Sequence, residues 1–192
     1  MKYEEKSESL DQYDGWYEFL DGKEDRYAPL LGYFLIHFSV LEHSLNLALA
    51  EILHSRTHEI GYVVVEKLSL FDKIDLFRKL YLGIVSPQSK KGKDALLAIC
   101  KRLEKINTFR NMIAHANWST IDAQGFVRTR IKVDPSEGHV IFRNVRITRA
   151  IISTQTQEVK KLADDLDDFS QKALEGGFEK KPKGVTKRKK AR

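Results

Sequence analysis

Apolar residues recur at helical intervals along most of this chain and at every second position in one short region. From Tyr27 to about His54, Leu30, Phe34, Leu41, Leu45 and Ile52 share one face, and Leu31, Leu35, Phe38 and Leu49 widen it. That is the pattern of a long helix that is largely buried. Ile60 to Leu68 is a short apolar segment whose period decides neither helix nor strand. Ser69 then stands where an N-cap belongs, ahead of a helix from Leu70 to Leu82 with Leu70, Phe71, Ile74, Phe77, Leu80 and Tyr81 at helical spacing, ending near Gly83. Between Lys93 and Trp118 the stripe is Leu96, Ile99, Leu103, Ile106, Phe109 and Ile113. The period then shortens to two: Phe126, Arg128, Arg130 and Lys132 alternate with Val127, Thr129, Ile131 and Val133. Asp134-Pro135-Ser136-Glu137-Gly138 supplies a turn, and Val140, Phe142, Val145 and Ile147 follow it, which predicts a β-hairpin over 125–147. A last helix, Thr148 to about Leu174, carries Ile151, Ile152, Val159, Leu162, Leu166 and Phe169. The fold class is therefore mainly α, a helical bundle with one β-hairpin inserted.

Some polar residues break these stripes. At about 100° per residue, Arg110 projects between the directions of Ile99 and Leu103, where an apolar side chain is expected. Asn107, Asn111 and His115 repeat at four-residue steps and form a polar row along the flank of the same stripe. Arg stems often lie along apolar surface with the guanidinium in water, so the row and the cation are also consistent with a helix that has no chemistry. Glu42 points into the widened face of the first long helix, with Phe38 four residues before it and Asn46 four after. A buried carboxylate needs a partner, and Arg110 is the cation that the helical patterns turn toward the core, so a Glu42–Arg110 pair is expected to orient the guanidinium. A structural salt bridge would look the same.

Residues 110–115 read Arg-Asn-Met-Ile-Ala-His. An Arg, a polar residue and a His at this spacing, at the end of a late bundle helix, resemble the Rx4-6H motif of the HEPN superfamily (higher eukaryotes and prokaryotes nucleotide-binding). The resemblance covers roughly residues 27–175. It implies a HEPN-like bundle and a metal-independent endoribonuclease, with Arg110, Asn111 and His115 catalytic. Glu42 would match the acidic residue that such bundles often carry in the first main helix, and Asn107 would support the row. The resemblance further implies a homodimer with two motifs facing across a shared cleft. A toxin–antitoxin, phage-defence or RNA-processing setting would follow, with an antitoxin or regulatory protein as partner. The residue types agree with the chemistry. RNA carries its own nucleophile, the 2′-OH, so a ribonuclease needs only proton transfer and a cation for the phosphate. The expected products are 2′,3′-cyclic phosphate and 5′-OH ends, and no metal or other cofactor is required. A non-catalytic module that binds nucleotide, RNA or a protein partner, and a purely structural bundle, are the other readings.

Charge changes the picture at one end only. The chain of 192 residues has a net charge of +6. From Glu179 to Arg192 eight basic residues and one acid give +7, which leaves −1 for residues 1–178. The division expected is an N-terminal arm (1–26), the bundle domain (27–175) and a disordered basic tail (176–192) that attracts nucleic acid without regard to sequence. Lys90 and Lys91, in a loop from Ser86 to Gly92, and Arg128, Arg130 and Lys132, along one face of the first hairpin strand, are candidate RNA contacts. A charged, solvated surface is the simpler reading of each. The single Cys100 fits a reducing compartment, and the start of the chain has no apolar signal region, so a cytoplasmic protein without a membrane span is expected. His54 and His58 have a spacing that suits zinc on a helix, but no third ligand accompanies them. Phosphate-binding glycine loops and Gly-x-Ser-x-Gly are missing, which removes nucleotide hydrolysis and serine-hydrolase chemistry.

Overall fold

Ser69 and Thr148 each place a hydroxyl at the start of a helix, and these caps fix where two elements begin. Ser69 Oγ accepts from the Asp72 amide at 3.2 Å and Thr148 Oγ1 from the Ile151 amide at 3.3 Å, satisfying amides that a helix leaves without partners. The computed structural model describes residues 3–9, 22, 24–53, 58–85, 89–133, 136 and 138–176. Within them the order is β1 (Glu5–Ser9), α1 (Ala28–Leu53), α2 (His58–Glu66), α3 (Leu70–Leu80), α4 (Lys90–Ala114), β2 (Phe126–Val133), β3 (Val140–Arg146) and α5 (Arg149–Leu174). The basic run Lys180–Arg192 and His54 lie outside the described residues.

α1 packs against α5, α2 and α3, and α4 closes the bundle against α5 and α3. Their stripes make one core, with Phe34, Leu45 and Leu49 from α1, Phe77 from α3, Leu103, Ile106 and Phe109 from α4 and Val159, Leu162 and Leu166 from α5. The undecided segment after residue 58 is a helix. Its approach to α1 depends on Gly61, where an added Cβ would lie 2.5 Å from Ala50 Cα. α4 begins before the apolar period does, because Ser89 Oγ caps the Gly92 amide at 3.2 Å. Lys90 and Lys91 therefore belong to its first helical turn and not to a loop.

The sheet differs from the expected hairpin. Its order is β1-β3-β2, all antiparallel, so the N-terminal arm contributes an edge strand. The sequence Glu5-Lys-Ser-Glu-Ser9 has no apolar alternation. Charge marks the pairing instead: Glu4 meets Arg146 at 2.8 Å, Glu5 meets Arg143, and Glu8 accepts from Asn144 Nδ2 at 2.9 Å. The entry to β2 is a tight turn in which Asp122 Oδ1 accepts from the amides of Gln124 at 2.9 Å and Phe126 at 2.8 Å. Gly125 makes it possible at φ +88°, a left-handed conformation that side chains disfavour. No helix among the described residues is long and apolar enough to cross a membrane.

A candidate nucleic-acid site where the motif helix meets the sheet

The last turn of α4 is fixed from three sides. Phe109 is fully buried and stacks on Tyr3 of the arm (centroids 6.0 Å) and edge-on to Phe34 of α1 (5.1 Å). Trp118 Nε1 donates to the Ile113 carbonyl at 2.8 Å, and its ring lies 5.5 Å from that of Tyr27. Asn117 N donates to Arg128 O at 2.8 Å, tying the chain after the helix to β2. His115 is the C-cap residue itself: its amide donates to Asn111 O at 3.1 Å and its side chain is exposed.

Arg110 leaves this helix on the packed side, as its spacing requires. Its guanidinium lies 5.2 Å from the centre of the Phe38 ring, and Nη1 donates to Asn111 Oδ1 at 2.8 Å. The expected pair with Glu42 does not form. Glu42 accepts instead from Lys73 Nζ of α3 at 2.8 Å. The reason is axial distance: Glu42 lies one turn, roughly 6 Å, beyond Phe38 along α1, level with α3. Lys73 is a cation that the sequence reading missed, although its position one turn before Phe77 on the stripe of α3 marked it.

Asn111 and His115 open onto a cavity of about 480 Å³. Tyr3, Thr108, Arg130 and Arg143 complete its principal lining, so the sheet face that looks at α4 brings two guanidiniums to the polar row. Arg110 and Asn107 do not line it. Lys90 and Lys91 lie at the far end of α4, roughly 35 Å away at a helical rise of about 1.5 Å per residue.

The strand register explains which hairpin cations reach the cavity. A β-bulge between Arg128 and Arg130 breaks the alternation, so that Arg128 pairs with Asn144 and Arg130 with Arg143. Successive residues of β3 face opposite sides. Arg130 and Lys132 therefore share the cavity face, whereas Arg128 is on the other, its guanidinium 3.8 Å from the centre of the Phe142 ring. The expected row of three cations on one face is thus divided.

Like charges directly opposite each other across strands repel, and Arg130 and Arg143 are such a pair. Glu5 of β1, also in the cavity wall, relieves this by accepting from Arg143 Nε at 2.8 Å and from its Nη2. The arm is braced by a second contact, Lys6 Nζ to Asp122 Oδ2 at 2.9 Å. Burial pushes the Asp122 carboxyl up, but the Lys6 ammonium and the amides of Phe126 and Gln124 more than offset this and hold it below the usual carboxylate range. Burial raises the Tyr3 phenol, so that hydroxyl stays protonated at the cavity rim. Arg143, Tyr3 and Thr108 were not singled out from sequence; only the bulge and the third strand place them together. No group of three or more His, Cys, Asp or Glu side chains among the described residues has the arrangement of a metal site.

The arrangement offers an imidazole, a carboxamide and two guanidiniums, one of them paired with the Glu5 carboxylate, around a space large enough for a nucleotide-sized anion. Comparison of the chain with protein-family models, with curated proteins and with solved structures gives no match, so the likeness to the HEPN superfamily rests on residues 110–115 and their helical setting.

Proposed function

We propose that the protein is a metal-independent endoribonuclease of HEPN type that cleaves single-stranded RNA at the cavity beside His115. The observation that carries this reading is the convergence of His115 and Asn111 with Arg130 and Arg143 around one opening. A phosphodiester placed there meets permanent positive charge from Arg130, and from Arg143 in so far as the phosphate shares that guanidinium with the Glu5 carboxylate. Asn111 has its Oδ1 engaged by Arg110, which leaves its NH₂ to donate to a phosphate oxygen. Arg110 is thus a positioning residue, held by Phe38 on one side and orienting the amide on the other. His115 takes the 2′-OH proton; O2′ attacks phosphorus; the P–O5′ bond breaks, and the leaving O5′ receives a proton from a second acid. A second copy of the chain provides that acid as its own His115, and both motifs then face one cleft. The uncharged stretch of α1 with exposed Leu35, Ile36 and Val40 is consistent with self-association. A toxin–antitoxin or phage-defence role, with a protein that restrains cleavage, is the setting in which such an activity is expected.

The position of Arg110 outside the cavity lining favours a second reading, a HEPN-like module that binds nucleotide, RNA or a protein partner at the same opening without turnover. One experiment separates the two: cleavage of end-labelled single-stranded RNA in EDTA by the wild type and by His115→Ala. Cleavage to cyclic phosphate ends that falls at least about 100-fold in the variant, with folding unchanged, supports the enzyme. RNA binding by the wild type without cleavage supports the module. Equal cleavage by both proteins rejects the assignment of His115.

A further inference from the structure

A second cavity, of about 360 Å³, adjoins the first along α4, and Tyr3 and Thr108 line both. Its remaining wall includes Arg102, Lys105, Thr154 and Glu158. The Arg102 guanidinium is already committed to Glu158 at 2.6 Å and Asp165 at 2.5 Å, and so holds α4 to α5. Lys105 is exposed, one helical turn before Phe109 on the same helix as the polar row. The Tyr3 ring rests on Phe109 and stands between the two openings. The order along α4 is therefore an ammonium, an aromatic ring and then the imidazole and guanidinium cluster, spread over the ten residue steps from Lys105 to His115. At a rise of about 1.5 Å per residue that is roughly 15 Å, enough for two or three nucleotides of an extended strand.

We propose that the two cavities are consecutive subsites of a single-stranded RNA track, in which Tyr3 is the platform for a base and Lys105 holds the phosphate two nucleotides away from the one bound by Arg130 and Arg143. The inference rests on the RNA-binding reading above and adds the direction and length of the bound strand. Aromatic rings bind successive bases by stacking whatever their identity, and lysines follow the backbone, so the track has little preference for sequence. It also gives β1 a role in recognition, since pairing of β1 with β3 is what carries Tyr3 to the junction.

The test is fluorescence anisotropy with 2′-O-methyl oligonucleotides, which cannot be cleaved, one to four nucleotides long, each carrying a 5′-phosphate. For the wild type, affinity should rise steeply from one to three nucleotides. Tyr3→Leu, which keeps apolar contact with Phe109, should bind the trimer roughly tenfold more weakly, as loss of a stacked base does, while Tyr3→Phe binds it as the wild type does. Lys105→Ala should weaken the trimer severalfold, lower the salt slope by about one and leave the mononucleotide unchanged. If the trimer binds, and Arg130→Ala weakens it, but Tyr3→Leu and Lys105→Ala have no effect at any length, the track is rejected while the RNA-binding reading stands. Equal losses in Tyr3→Phe and Tyr3→Leu reject the ring as a platform. If no oligonucleotide binds the wild type, the functional reading fails first and the track with it.

Discussion

Lys73 and Arg110 both leave a helix on its packed side, and the bundle accommodates them in opposite ways. Lys73 is 5% exposed and closed in against Glu42. Arg110 stays half-buried over an aromatic ring and donates to the neutral amide of the residue next to it. A compact ammonium in a dry site needs a carboxylate to cancel its desolvation, whereas a planar guanidinium is weakly hydrated and can lie on a ring. The first arrangement joins α1 to α3. The second leaves a permanent charge beside the polar row and uses it to set the rotamer of Asn111.

The contrast is sharpest in stability. Glu42→Ala strands a buried ammonium and should cost about 3 kcal/mol in urea unfolding, while Glu42→Leu combined with Lys73→Met should return to within about 1 kcal/mol of the wild type. If Glu42→Ala is nearly neutral, the pair is not the buried clamp described. Arg110→Ala should cost less than about 1 kcal/mol yet lower RNA cleavage about 100-fold, as removal of a preorganised donor does. Arg110→Lys should not restore cleavage, because an ammonium neither stacks on Phe38 nor holds Oδ1 in the same geometry; full rescue would show that charge alone matters there.

A smaller effect separates the arm's brace from both cations. The folded-state carboxyl of Asp122 titrates lower than in the unfolded chain, so its contribution is present above about pH 4 and is lost as the pH falls through the folded value. Lys6 is raised: burial works against its charge, and bonds to Asp122 and Glu8 outweigh that, so its share disappears only as the pH rises through its folded value, above about 10.5. Asp122→Asn should therefore flatten the acid limb of a stability–pH curve and leave the curve near neutrality parallel to the wild type. An unchanged acid limb would mean that the brace contributes nothing. Smallest of all, Arg128→Ala should leave RNA affinity unaltered and cost about 1 kcal/mol of stability for its contact with Phe142, while Arg130→Ala weakens binding. Equal effects on binding would contradict the division of the two by the bulge.

Much of the bundle could be read from local pattern, because an amphipathic stripe has only one face to bury. Leu96, Ile99, Leu103, Ile106, Phe109 and Ile113 are all buried as their spacing required, and Ser69 and Thr148 cap the helices they precede. β1 escaped notice because its pairing depends on backbone and ionic contacts with a segment more than a hundred residues away. The pairing of Glu42 was misjudged for a related reason: periodicity gives the direction of a side chain around its own helix but not the height at which a neighbouring helix passes. The polar row was legible, and its opening onto Arg143 was not.

By itself the sequence determined the three helices around Phe34, Phe77 and Phe109 and the last one, the site of the hairpin, the placement of Arg110 in a packed stripe and the Asn107-Asn111-His115 row, since each follows from the angular period of a single element. The short helix α2 did not follow from its period. Tertiary structure alone decided that Lys73 takes Glu42, that a bulge turns Arg128 away from Arg130, and that Tyr3 and Arg143 reach the end of the motif helix. Those outcomes depend on register and axial offset between elements distant in sequence, which no local pattern encodes.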